Sequence, residues 1–149
     1  MLKNKVQIYP PKAGLTTQVN IFPITNILKG SATIYSVSKF FSFIHPTAFD
    51  NQSQTCAFWY SPIVMVLKNI TFQYEVVTEL NANSKLDVIS GGSTITDIPI
   101  INTVGVHNLS VQNIDYPLAF GDSVYLFFKM STGTYKVFSI TAIFSFGPS

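Results

Sequence analysis

Three side chains in this sequence have the chemistry of nucleophilic catalysis: the single cysteine, Cys56, and the only histidines, His45 and His107. A thiol becomes a nucleophile when an imidazole or another cation holds it as thiolate, and enzymes built that way leave local signatures around the cysteine. None is present here. Cys56 lies in the apolar run Cys56-Ala57-Phe58, where a thiol is expected to serve as a small core residue. The seven acids, Asp50, Glu75, Glu79, Asp87, Asp97, Asp115 and Asp122, are scattered. Only Glu75 and Glu79 are neighbours, and in a strand residues four apart stand roughly 13 Å from each other, too far for a glycosidase pair. Solvated strand ends and turns are the expected fate of most, with Asp50 and Asp122 hydrogen-bonding nearby backbone amides. Zinc spacings, a P-loop, a dinucleotide fingerprint and an EF-hand loop are all missing. No catalytic residue, metal ligand set or cofactor is therefore expected; a calcium ion held by loop carbonyls and one or two aspartates stays an open alternative.

Composition bounds the partners. At 149 residues the chain has the size of one domain able to bury a core without metals or disulfides. Its hydrophobic fraction is 47% but only 11% of residues are charged, against about a quarter in an ordinary soluble domain. So little charge protects a surface poorly against association, and much of it is expected to be covered by neighbouring subunits. The longest uninterrupted apolar run, Ile63 to Leu67, ends at Lys68, far short of the roughly 18 residues of a spanning helix; no membrane partner is expected. All nine basic residues are Lys and the net charge is +2. Without Arg there is no bidentate clamp for phosphate or guanine, and the charge is too small for phosphate neutralisation, so no nucleic acid is expected. One cysteine forbids an intramolecular disulfide and fits assembly in a reducing cytosol. Residues 1–11 have no apolar core of a signal peptide, and both termini are expected to be held in place.

The elements that must position these residues read as strands. Residues 1–30, with Pro10, Pro11, Gly14, Pro23 and Gly30 between short apolar pieces, read as an extended N-terminal arm reaching a neighbour, or as an edge strand and loop on the same domain. The domain proper is expected over 31–149. Ala32–Ile44 reads as one long strand kinked near Lys39-Phe40, and Asp50–Ser53 as a polar loop before a strand from Cys56 to Ser61. Ile70, Phe72, Tyr74 and Val76 alternate with more polar residues, the period of a half-buried strand. Asn81–Ser84 and Gly91-Gly92-Ser93 are turns, and Pro99 confines Ile95–Ile101 to an edge or a loop. Val124–Met130 and Tyr135–Phe146, joined through Gly133, read as a β-hairpin whose face Phe138, Ile140, Ala142, Phe144 and Phe146 belongs in the core. No stretch has the helical period. The fold class is all-β: an antiparallel β-sandwich, jelly-roll-like, of roughly eight strands with an extended N-terminal arm.

Tyr125 and Phe127 point away from the core face of Val124, Leu126, Phe128 and Met130, and are too apolar for water. Their cover is expected from a second subunit or the N-terminal arm. They join Ile143, Pro10, Pro11, Trp59 and Tyr60 as candidate interface residues, the exposed member of the Phe58-Trp59-Tyr60 run also being suited to stacking on a sugar or anchoring a partner.

The segment Leu118-Ala119-Phe120-Gly121-Asp122-Ser123-Val124-Tyr125-Leu126, followed by the alternating apolar C-terminus, resembles the closing strands of tumour-necrosis-factor-like and complement-head-like jelly rolls, about a fifth of the chain. The resemblance implies a homotrimer with aromatic residues at its interface, and similar jelly rolls recur in viral capsid, decoration and fibre-knob proteins. The expectation is thus a virion structural protein assembled in the host cytoplasm. A phage capsid decoration or cement protein is the leading form, binding copies of itself and the major capsid or another virion protein. The alternative is a receptor-binding fibre or spike-tip domain whose loops around Asp50–Gln54, Asn81–Lys85 or Gly91–Thr96 recognise a cell-surface glycan.

Overall fold

The computed structural model describes residues 20–29 and 32–146; what was expected of Pro10, Pro11, the arm up to residue 19 and the C-terminal end lies outside the described residues. Among these residues the strands are β1 (Asn20–Ile27), β2 (Lys39–Phe41), β3 (Ala48–Phe49), β4 (Trp59–Tyr60), β5 (Met65–Thr78), β6 (Lys85–Ser90), β7 (Ser93–Pro99), β8 (Gly105–Val111), β9 (Tyr116–Leu118), β10 (Ser123–Lys129) and β11 (Thr134–Phe146). One 3-10 helix spans Asn51–Ala57. Sheet A runs β1-β11-β5-β8, with β9 also on β5; sheet B runs β3-β2-β10-β6-β7, with β4 also on β10. The first and last long strands pair with each other in sheet A, and β2 pairs with β10 in sheet B. That nested pairing is the strand order of a jelly roll, and the fold is an all-β antiparallel sandwich.

Asn20–Ile27 belongs to the sandwich: as β1 it pairs with β11 over its whole length, the edge-strand reading of this segment rather than the arm. The amide of Leu28 donates to the carbonyl of Phe138 at 3.0 Å, so with the period of two the even-numbered residues of β1 bond β11. Pro23, which has no N–H, then falls on the free edge, where it costs the ladder nothing and discourages further strand addition. Asn26 is buried and its amide donates to the carbonyls of Ser42 at 2.8 Å and His45 at 2.7 Å, fixing β1 to the crossover that follows.

That crossover replaces the single kinked strand expected over Ala32–Ile44. Tyr35 bridges to Tyr135 in sheet A, Ser38 Oγ donates to the carbonyl of Met130 and accepts from its amide, both at 2.9 Å, and only Lys39–Phe41 then joins sheet B. The chain changes sheets here, and no one ladder can hold it. The C-terminal hairpin is corrected in the same way: β10 lies in sheet B and β11 in sheet A, so Met130–Gly133 turns a corner between the layers. Across that corner Phe128 stacks on Tyr135, ring centroids 3.9 Å apart and planes 11° apart. Extra residues shift the alternation as well. Val137 pairs with Tyr74 but Ser139 with Gln73, a bulge that leaves Phe138 half-buried while Tyr135, Val137, Ile140, Ala142 and Phe144 enter the core.

The core is largely aromatic. Phe41, Phe72, Tyr74, Phe128 and Tyr135 form one group, and Trp59, Phe43 and Phe144 a second; geometric pairs of this kind add about 0.5–1.5 kcal/mol each to area burial. The two buried phenols are satisfied by loops: Tyr74 donates to the carbonyl of Ile101 at 3.0 Å and accepts from its amide at 2.9 Å, and Tyr135 donates to the carbonyl of Val37 at 3.0 Å. Burial pushes the Tyr74 hydroxyl up to about 12 and raises that of Tyr135 further, so both remain hydrogen-bond donors at any ordinary pH.

Candidate interaction surfaces

The nucleophile candidates do not meet. Cys56 is exposed on the 3-10 helix, a correction to its expected burial: the polar residues Asn51–Thr55 wind into a helix, and its apolar side is taken by Ala57. His45 stands edge-on to Phe49 between β2 and β3, whereas His107 is on β8 of sheet A, its Nε2 2.7 Å from the carbonyl of Thr103. Among the described residues no group of three His, Cys, Asp or Glu side chains gathers as a metal site would need. Asp122 behaves as expected and accepts from the amide of Ala119 at 2.8 Å. Asp50 makes no side-chain cap to its helix; the nearest group is Ser53 Oγ, 3.5 Å from Oδ1.

Tyr125 is buried by the chain itself, and Phe127 is half-buried. Phe40, the cross-strand neighbour of Phe127 on β2, stacks on it at 4.3 Å, and Phe58, the residue after the 3-10 helix, stacks on Tyr125 at 4.4 Å. Phe40, Ala57, Ile89 and Tyr125 make a second small core, with Phe49, Phe58 and Phe127 at its rim. Trp59 is likewise an internal residue, packed on Phe43 and Phe144. Its neighbour Tyr60 is 58% exposed and stands near Val64 and Phe120 (72% and 76% exposed), on loops joined by the Ser61–Asp122 and Gly121–Ser61 backbone bonds.

The outer face of sheet A has no such cover from the described residues. Three successive rows cross it: Pro23–Ile143–Asn69, Thr25–Thr141–Thr71–Ser110, and Ile27–Ser139–Gln73–Asn108. None contains a charge. The Thr25 and Thr141 hydroxyls are 3.3 Å apart and Ser139 Oγ is 3.4 Å from Gln73 Oε1, so these two pairs bond along the face. Charge resumes only at its margins, with Lys136 opposite Glu75 and the Lys68–Asp115 ion pair. Ile143, half-buried at the centre of the first row, is the one interface candidate placed here.

A cleft of about 620 Å³ lies at the other end of β5 from Val64, between the Asn81–Ser84 turn, the ends of β7 and β10, and the Met130–Ser131 corner. Asn81 Oδ1 accepts from the amides of Ser131 at 2.7 Å and Thr132 at 3.2 Å and stands 3.0 Å from Ser84 Oγ, locking turn and corner together. Lys85 Nζ is 3.0 Å from Asp97 Oδ2 and 3.9 Å from Asp87 Oδ1. Asp87, on β6, is only 8% exposed and its Oδ1 accepts no hydrogen bond from the described residues. Burial raises its pKa above the ordinary aspartate value, and Asp97 adds to this, while Lys85 and Lys129 oppose it. The sequence marks Asn81–Lys85 as a ligand-facing loop only through its turn residues; the opposed lysines and aspartates come from three strands whose pairing no local pattern reveals.

No protein-family model matches the chain, and no curated protein does. Among solved structures, a family two carbohydrate esterase from Cellvibrio japonicus is similar over 89% of this chain, at 12% identity and a TM-score of 0.34. The chain spans 36% of that structure's length. A likeness this loose carries no argument about activity.

Proposed function

We propose that the chain is a structural protein of a virion, a decoration or cement protein that carries no catalysis of its own and assembles with copies of itself through the outer face of sheet A. The observation that supports this most is the run of three charge-free rows across that face. Charged groups are what the core of a protein interface is depleted of, and hydroxyl and amide side chains bonded along a sheet lose little on being covered. Four strands about 4.8 Å apart and eight residues at about 3.3 Å each make a face of roughly 19 by 25 Å. Its projected area is on the order of half the ~800 Å² that each partner buries in an interface of ordinary size. The adjoining loop end with Val64 and Phe120 extends it. Jelly rolls are common among capsid proteins, an analogy of fold that agrees with this reading without carrying it.

The test is the solution mass of the chain by light scattering, beside Ile143→Glu and Thr141→Lys. Self-assembly through this face predicts an oligomer that both substitutions reduce to a monomer with an unchanged circular dichroism spectrum. Equal masses for all three chains would refute it. A second reading, a fibre or spike-tip domain that binds a cell-surface glycan, is favoured by the cleft at Asn81–Lys85; a glycan array without hits would remove it.

A further inference from the structure

We propose that the cleft between the Asn81–Ser84 turn and the Met130–Ser131 corner binds a saccharide through a single carboxylate, with Lys129 as the cation that receives it. This rests on the glycan-binding reading and names its ligand class. The volume of about 620 Å³ is in the range of small-ligand sites, roughly 300–1,000 Å³, and suits one or two sugar rings. Its walls are fixed before any ligand arrives, because Asn81 bonds both Ser131 and Thr132, so little ordering remains to oppose binding.

The charges divide into a closed set and an open one. Lys85 is committed to Asp97 and faces Asp87. Lys129 stands directly across the ladder from Lys85 and has no carboxylate within ion-pair distance among the described residues. Its charge reaches Asp87, but no ion pair among the described residues holds it. A carboxylate meeting it forms a charge-assisted hydrogen bond of the stronger kind. Asn83 and Ser131 add amide and hydroxyl groups that are uncommitted among the described residues and match sugar hydroxyls, and Pro99 offers an apolar surface to the C–H face of a ring. A polyanion fits badly. Asp87 and Asp97 repel every negative charge beyond the first, and the chain has no Arg to clamp a phosphate or sulfate.

The experiment is a titration of the full chain, followed by ligand-observed NMR, with sialyllactose, a hyaluronan disaccharide (one glucuronate) and lactose, repeated on Lys129→Ala, Lys129→Arg and, as a control distant from the cleft, Cys56→Ser. The expected result is that at least one acidic probe binds about tenfold or more tighter than lactose. Lys129→Ala abolishes that preference, while Lys129→Arg and Cys56→Ser retain it. Sialyllactose and the disaccharide distinguish a sialic acid from a uronic acid. Lactose binding as well as the acidic probes would overturn the carboxylate inference and leave the glycan reading standing. No binding by any probe would overturn both. Acidic binding indifferent to Lys129→Ala would place the site elsewhere and also overturn the inference.

Discussion

Gly133 tests the corner that divides the two sheets. Its φ is +94°, and a Cβ built on it would overlap the carbonyl oxygen of Glu79 and lie 2.8 Å from both the carbonyl carbon of Glu79 and the carbonyl oxygen of Thr78. Gly133→Ala therefore meets two costs. The positive φ costs an L-residue about 1–2 kcal/mol, and backbone displaced by overpacking typically costs about 1–3 kcal/mol. Gly121 provides the comparison, since it also has a positive φ, +86°, but nothing lies within 4 Å of its Cβ position. Gly121→Ala should cost only the conformational term, reduced by about 0.4–1 kcal/mol through the stiffer unfolded chain. The expected losses are about 3 kcal/mol for Gly133→Ala and about 1 kcal/mol for Gly121→Ala, or roughly 6–12 °C and 2–4 °C in Tm for a chain of this size. Urea and thermal unfolding followed by circular dichroism measure both. If the two variants fall within about 0.5 kcal/mol of each other, the corner does not press on Glu79 and the inter-sheet connection is wrongly drawn.

Asp87 gives a pH dependence of opposite sign to that of a salt-bridged carboxylate. Its folded pKa is raised, so between the ordinary aspartate value and the raised one the folded state binds more protons than the unfolded state. Stability contributed through this group then falls as pH rises across that window. Urea midpoints of wild type and Asp87→Asn compared from about pH 3 to about pH 7 should show the variant gaining on wild type as pH rises; a constant or reversed difference would refute the burial of a carboxylate there. Cys56, exposed on its 3-10 helix, should react fully with a thiol reagent in the native chain, and Cys56→Ser should change stability by no more than about 0.5 kcal/mol. Reaction only after denaturation would put the thiol back in the core.

Strand existence was legible because period-two alternation is local. Ile70, Phe72, Tyr74 and Val76 announce β5 by themselves, and Pro99 places β7 at an edge with no knowledge of its partners. Sheet membership was not legible. Gly133 signals that the chain reverses, but whether the reversal stays within a ladder or crosses between layers depends on Phe128 against Tyr135 and on Asn81, some fifty residues upstream of the corner it holds. The bulge at Phe138 was hidden for another reason: no Gly or Pro marks it, and a strand of aromatic and β-branched residues looks equally regular in either phase. Sequence likewise showed that Tyr125 and Phe127 needed cover but not what covers them. The cover is built by Phe49, Ala57 and Phe58, and these flank a run polar enough to read as a plain loop.

That internal cover changes where the low charge of the chain points. Had the outer face of sheet B been open, its aromatic residues would have been the natural docking surface, and the Tyr125–Phe127 pair its centre. With Phe58 stacked on Tyr125 and Phe40 beside Phe127, much of that aromatic patch is already buried within the chain. Sheet A differs in kind: its outer rows are hydroxyls, amides and isolated Ile side chains, a surface compatible with water and with no charge to desolvate when covered. A protein that must exist alone before it assembles is served by such a face better than by an aromatic one, which would aggregate first. The β1 edge supports the same division, because Pro23 discourages strand addition there, so on that side self-assembly as proposed would run through the face rather than the edge.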